Sequence, residues 1–408
     1  MQDASDSRLS IRLLISITAC WYLAQMGYYS QAQIFSPVME RYGVNEAMTG
    51  LMMSKEVMVY AMTALIMAGP VTRFSRMKIA MTGSAILLVC GLIAALTESF
   101  EVLKVARMVA GFGAGLIGAA GTASAASSPN PQRVFAIIAV TWGLSSAGGA
   151  IIIPYLTVPY GAMGGYLSMV GALILMFPLL IWLPDPPKES SEDIAEKHRL
   201  MTTLSPWQRF TERLGVRGAP NMRFALFALF ALFVYELGQG AIQVFLEQFG
   251  VRAGMDVISV GQVLGIAGFV GLLGGAMAAW LADRFGNLKP ALIGIATNTV
   301  VAAGLALGTS ATSFAILYLA WNMCFYFVVP YILGIMSEMD RKGRWAVATD
   351  AVWWLGAAPG AAVGGYVVTA GGYQGLALLP IAVGSLSIVI FYITLSRFYA
   401  NKRRSSEA

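Results

Sequence analysis

Runs of about twenty apolar residues recur along this chain, the length at which a helix crosses a ~30 Å hydrocarbon layer. They fall near residues 11–33, 48–70, 77–97, 102–125, 133–157 and 164–184, and again near 222–245, 258–281, 288–309, 313–336, 345–369 and 375–399. Twelve spans is therefore the expected count. The rest of the chain agrees: of 408 residues, 57% are hydrophobic and 12% charged, and a mean hydropathy of +0.69 lies outside the range of soluble domains. The class expected is an all-α membrane protein. Its first run is too long and too polar for the core of a signal peptide and has no small-residue cleavage site after it, so it is expected to be a retained span.

Lysine and arginine set the orientation. With a cytosolic N-terminus, 22 of the 27 basic residues lie in inner segments and only Arg41 and Arg252 in outer loops. Both termini are then cytosolic, as expected of a multi-pass protein of a bacterial inner (plasma) membrane. The same asymmetry accounts for the net charge of +6, so no nucleic-acid partner is implied.

The longest polar segment, 185–221, divides the chain into units of residues 1–184 and 222–408. It carries "KESSEDIAEKHR" and then "SPWQRFTERL", in which Trp207, Phe210 and Leu214 follow at helical spacing. The expectation is a solvated linker, plain or regulatory, followed by a short amphipathic helix on the inner face. The two units repeat. Arg73, Phe74, Lys78, Ala80 and Gly83 match Arg284, Phe285, Lys289, Ala291 and Gly294 at an offset of 211, and Trp142, Gly148 and Thr157 match Trp354, Gly360 and Thr369 at 212. A nearly constant offset over several helices implies duplicated six-helix bundles related by an axis along the membrane normal.

"AWLADRFGNLKP" resembles the loop between helices 8 and 9 of the major facilitator superfamily, "GPVTRFSRMK" the loop between helices 2 and 3, and "RMVAGFGAG", from Arg107 to Gly115, its fourth-helix motif. The resemblance covers the whole chain in helix count, half-repeat and central loop, and identifies no subfamily. It implies two pseudo-symmetric six-helix bundles around a central cavity. It also implies a gating role for the loops, which in the superfamily latch one bundle to the other.

The residues bear this on their own terms. In "LADRFGNLK", Gly286 can supply a turn conformation that other residues avoid, Asp283 can cap or pair at a helix end, and Arg284 and Lys289 sit where the positive-inside bias puts them. The bland alternative is topogenic charge alone. The first copy, with Arg73, Arg76 and Lys78, lacks the acidic residue and has Ser75 for the glycine. Asp350, about 8 Å into its helix from the cytosolic end, is expected to supply the missing carboxylate to Arg73 or Arg76, or else to pair with Arg344 on its own helix.

A charge at mid-membrane costs about 2.5–3.5 kcal/mol on insertion scales, so those present usually face a cavity. Glu56, Arg107 and Glu236 fall at one depth and suggest a shared proton-coupling site. Burial penalises a charged carboxylate and a neighbouring arginine favours it, so alternating approach to Arg107 could load and release a proton. The competing reading pairs Glu56 structurally with adjacent Lys55. Glu236 continues along one helical face to Gln239 and Gln243, as Tyr22 does to Gln25 and Tyr29 in the first half. With Trp142, Trp321, Asn322, Tyr326 and Trp354, these are the expected substrate-binding residues, suited to a small amphiphilic organic solute.

"GAGLIG", Gly113 to Gly118, matches a dinucleotide fingerprint by letter, but it lies in an apolar span with no strand before it, so close helix packing is expected. Helix 5 reads "GLSSAGGAIIIP", with Pro154 displaced from the superfamily's antiporter pattern. The one histidine, His198, lies in the linker and Cys20, Cys90 and Cys324 in separate spans, so no metal, cofactor or enzymatic chemistry is expected. With no phosphate-cradling loop, ATP is not the energy source. The function expected is a proton-coupled symporter, monomeric in the lipid bilayer, working by alternating access. A drug or metabolite efflux antiporter and a non-transporting receptor or scaffold are the alternatives.

Overall fold

The computed structural model describes residues 11–67, 69–128, 131–186, 203–205, 208–209, 212, 218–340 and 344–407. The helices are α1 (Ile11–Tyr29), α2 (Gln31–Tyr42), α3 (Glu46–Met67), α4 (Arg76–Leu96), α5 (Phe100–Ala126), α6 (Pro131–Met176), α7 (Met222–Gln243), α8 (Leu246–Arg252), α9 (Val257–Phe285), α10 (Leu288–Leu307), α11 (Ala311–Met339) and α12 (Arg344–Glu407). Two short 3-10 turns join them, Pro70–Thr72 and Phe177–Trp182. The linker through residue 202 and most of the expected amphipathic helix, including Trp207, Phe210 and Leu214, lie outside the described residues.

Nine segments of the described residues are long and apolar enough to cross a membrane. Two of them double back: α6 turns at Gly161 (φ 56°) and α12 at Gly372 (φ 62°), a backbone region that glycine enters without a Cβ clash. Those nine therefore supply eleven crossings, and α1 continued by α2 supplies the twelfth. The first crossing runs past its expected end at residue 33, through a break at Ser30, to Tyr42.

The repeat seen in the sequence extends to local geometry at the same offset of 211. Gly161 corresponds to Gly372, and Gly43 (φ 61°) to Gly254 (φ 88°). Asn45 Oδ1 accepts from the Met48 N–H at 3.0 Å and Asp256 Oδ1 from the Ser259 N–H at 3.0 Å, each opening a helix. Ser99 and Ser310 cap α5 and α11 in the same way. Arg41 donates to the Ala95 carbonyl at 2.8 Å, and Arg252 to the equivalent Ala306 carbonyl at 3.4 Å. Caps and turns satisfy helix-end groups that have no intrahelical partner, so a duplicated sequence reproduces them.

Within each half the helices pack through small residues. A Cβ on Gly113 would come 2.7 Å from the Gly83 carbonyl oxygen, and one on Gly115 2.5 Å from the Thr63 Cβ. "GAGLIG" is thus a packing surface. Between the halves, α3 lies along α12 and α6 along α9, with α2 touching α8. The approach is closest at the end opposite the arginine-rich loops, where Gly50 meets the Ala361 carbonyl, Gly365 the Glu46 carbonyl and Gly261 the Ala150 carbonyl. Phe35 and Phe245 close the same end, with ring centroids 4.9 Å apart.

Candidate functional site

Glu56 on α3 and Arg107 on α5 form the one buried ion pair among the described residues. Gly111 brings the two helices together: a Cβ there would come 2.3 Å from the Glu56 carbonyl oxygen. The approach lets Arg107 engage the carboxylate as a fork, Nε donating to Oε2 at 2.9 Å and Nη2 to Oε1, and the Tyr166 ring centroid lies 5.2 Å from the guanidinium carbon. Both residues are buried, 6% and 5% exposed. Lys55 is exposed, because successive helix residues point about 100° apart; the alternative pairing of Glu56 with Lys55 is corrected accordingly.

Glu236 does not join this pair in this arrangement. It sits on α7 against α12, where a Cβ on Gly356 would lie 2.8 Å from its own Cβ. It is 1% exposed, and its Oε1 has no hydrogen-bond partner. Tyr28 of the other half and Tyr235 of its own helix lie within its electrostatic reach. Equal depth did not mean contact, because depth along a helix leaves the direction of the side chain open.

Two small cavities of about 20 Å³ each flank Glu56. The first lies between the halves and is lined by Gln25, Tyr28, Tyr60 and Trp354 among others. The second lies inside the first half, toward Leu87, Gly91 and Leu173, with Arg107 on its wall. Trp354 is clasped edge-on by Tyr28 and Tyr60, centroids 5.1 and 5.4 Å away, and the Tyr29 hydroxyl donates to Gln25 Oε1 at 2.7 Å. Of the expected substrate residues, Gln25, Tyr29 and Trp354 meet here, and Tyr326 lies within electrostatic reach of Tyr29.

The other expected substrate residues are placed differently. Trp321 is 6% exposed and stacked along α11 between Tyr318 and Phe325, so it belongs to the core of the second half. Asn322 faces Gly271 on α9. Tyr22 approaches Gly149, its hydroxyl 4.0 Å from a Cβ there. Gln239 is buried with Oε1 unpartnered, and Gln243 is half-buried. The side chain of Trp142 lies outside the described residues. Tyr28 and Tyr60 were missed, although Tyr28 follows Gln25 by three and Tyr60 follows Glu56 by four, the spacing of one helical face.

Asp350 is expected to meet Arg73 or Arg76 across the inner end, which is the open end in this arrangement. No ion pair joins it to Arg73 or Arg76 among the described residues; its side chain is exposed, and the groups within its electrostatic reach are Trp354, Tyr29 and Tyr60. The side chain of Arg344 lies outside the described residues. Arg76 is instead held within its own half, donating to Ser127 Oγ at 2.6 Å and to the Val71 carbonyl at 3.3 Å. The equivalent pair in the second half is Asn287 with Glu338, at 2.6 Å, and Glu338 also holds Lys402 at 2.9 Å. Arg73, Lys78 and Lys289 are exposed. Arg284 lies over the Trp280 ring at 4.4 Å, and Gly286 ends α9 at φ 65°, the turn its sequence predicted. The side chain of Asp283 lies outside the described residues.

At the closed end, beyond the spanning part of α7, Glu247 on α8 is 2% exposed with Oε2 unpartnered. Burial, and then Glu40 on α2, push its carboxyl from 4.5 up to about 8. Arg252, one turn further on, is occupied by the Ala306 carbonyl and the Tyr373 ring, 3.7 Å away. A carboxyl raised in this way stabilises the closed, folded arrangement fully below about 4.5, and the contribution is lost as pH rises through about 8. Melting temperature in detergent is therefore expected to fall between about pH 5 and 8 in the wild type and to stay flatter in Glu247→Gln. A wild-type profile as flat as the variant's would reject this assignment.

Residues 18–351 match the family described as Major Facilitator Superfamily. No curated protein matches the sequence. Among solved structures, the fold is similar to a POT family transporter in complex with 5-aminolevulinic acid, at 15% identity and a TM-score of 0.70 over 94% of this chain and 95% of that one. It is similar to the peptide transporter POT in complex with sulfate, at 13% and 0.69 over 96% and 95%. It also resembles the nucleoside transporter NupG, at 14% and 0.70 over 95% and 100%. At such identities the likeness is one of fold.

Proposed function

This chain belongs to the Major Facilitator Superfamily, and from that premise we propose that it is a proton-coupled symporter carrying a small amphiphilic organic solute by alternating access. It is an integral, multi-pass membrane transporter; the coupling ion, the direction and the solute class are our reading. So is the division into bundles of residues 1–184 and 222–408 joined by the 185–221 linker, working as a monomer with both termini cytosolic.

Glu236 carries the reading. A carboxyl with an unpartnered oxygen, buried on α7 within electrostatic reach of Tyr28 of the other half, changes its surroundings whenever the halves rock. Changed surroundings alter the balance between its charged and neutral forms, which is the step a proton-coupled cycle requires. Arg107 then serves as the fixed partner of Glu56, holding the first half rigid around the cavity. The close contacts at Gly50, Gly261 and Gly365 seal the outer end, while exposed Asp350 faces the central space from the arginine-rich end. This is one of the two arrangements that alternating access needs. In the other, the loops bearing Arg73, Arg76, Lys78, Asp283, Arg284 and Lys289 would close the inner end, with Gly286 as the turn.

A membrane potential supplies ~2.3 kcal/mol per charge per 100 mV, enough for one proton to drive tens-fold accumulation. The deciding measurement uses proteoliposomes with an imposed pH gradient and a solute drawn from a thermal-shift screen of organic compounds. Inward flux driven by external acid is the expected result. Exchange of solute for protons would replace symport with antiport, and indifference to the gradient would reject coupling.

A further inference from the structure

Resting on the transporter reading above, we propose that the transported solute is a cation, an amine or quaternary ammonium on an apolar or aromatic body, and that Asp350 is the residue that selects its charge. Asp350 is solvent-exposed on α12, one turn before Trp354 on the same helical face. The Trp354 ring is clasped edge-on by Tyr28 and Tyr60 of the other half, centroids 5.1 and 5.4 Å away, and Tyr29 and Tyr60 lie within electrostatic reach of Asp350. A carboxylate beside aromatic rings attracts a cation twice, by its own charge and through the negative ring faces.

The same space is hostile to an anion. Among the described residues lining the two cavities, Arg107 is the one cation, and Glu56 takes two of its nitrogens. A second carboxyl, Glu236, is buried with Oε1 unpartnered and lies within electrostatic reach of Tyr28, which lines the first cavity. An anionic solute would meet the exposed Asp350 carboxyl and, among the described residues lining the cavities, no cation that Glu56 does not already hold. A polyhydroxylated solute is poorly served as well, because the Gln25 carbonyl already accepts from Tyr29 and much of the remaining lining is aromatic or aliphatic.

The test measures binding by tryptophan fluorescence on the purified full-length protein in detergent. Three probes of matched length and different charge are used: trimethyl(2-phenylethyl)ammonium, 3-phenylpropanol and 3-phenylpropionate. The ammonium is expected to bind at least about tenfold more tightly than the carboxylate. Asp350→Asn should weaken the ammonium about tenfold, and Asp350→Glu, which keeps the charge, should restore most of that loss. Equal affinity for the three probes, preference for the carboxylate, no binding of the ammonium, or an unchanged Asp350→Asn overturns the inference. The wild-type comparison alone decides if the variants fail to fold. Transport is judged separately: a protein that binds the ammonium without moving it keeps this charge selection and loses the symport reading, and one that carries an anion does the reverse.

Discussion

Arg107→Met is expected to destabilise the protein more than any other single substitution of a charged residue discussed above. The Glu56–Arg107 pair is almost fully buried and bonded through two nitrogens. Removing the guanidinium leaves a carboxylate with no solvent to turn to, a loss of about 3–5 kcal/mol for a broken buried pair. Replacing both partners is different. Glu56→Leu combined with Arg107→Met leaves no orphaned charge and should recover most of the loss, because the desolvation of both ions is removed along with their attraction. Arg107→Lys should fall between, since an ammonium cannot reproduce the fork. Melting curves in detergent give the answer. A single variant that melts with the wild type, or a double variant no better than the worse single, would show that the pair is solvated in the working protein and does not brace the first half.

Glu236→Gln should abolish proton-driven accumulation while leaving exchange of solute down its own gradient. Glutamine matches the size of a neutral glutamic acid and its ability to hydrogen-bond, so the contact between α7 and α12 is kept. What it cannot do is gain and lose a proton as the halves move. In proteoliposomes, accumulation is expected to drop from tens-fold to equilibrium, with counterflow retained. Full gradient-driven accumulation by the variant would move the proton site elsewhere, with Glu56 the next carboxyl to examine. Loss of both accumulation and counterflow would mark Glu236 as a packing residue.

How far the sequence reached differs by feature. The turns at Gly161 and Gly372, the N-caps at Ser99 and Ser310 and the small-residue packing of α5 follow from local chemistry, and each is legible in a few letters. The candidate site was legible in composition and not in pairing. Gln25, Tyr29 and Trp354 were marked because polar or aromatic groups recurring on one apolar face must line something. Tyr28 and Tyr60, on the same faces, escaped notice because a tyrosine in a span reads equally well as interfacial packing. Trp321 was assigned to the cavity on type alone, whereas the stacking series along α11 takes it into the core.

Helix count, membrane class and the twofold repeat were settled by the amino-acid sequence, since hydrophobic length and a constant 211-residue offset are properties of one dimension. Which charge meets which was not. Residue numbers put Glu56, Arg107 and Glu236 at similar depth, yet Arg107 turns to Glu56 through the gap that Gly111 leaves, and Glu236 packs against Gly356 of its own half. Asp350 sits near the inner loops in the sequence, and in the fold it is exposed within electrostatic reach of Tyr29 and Tyr60 of the other half. Rise along a helix can be counted from residue numbers, but direction around its axis acquires meaning only when a neighbouring helix is packed against it.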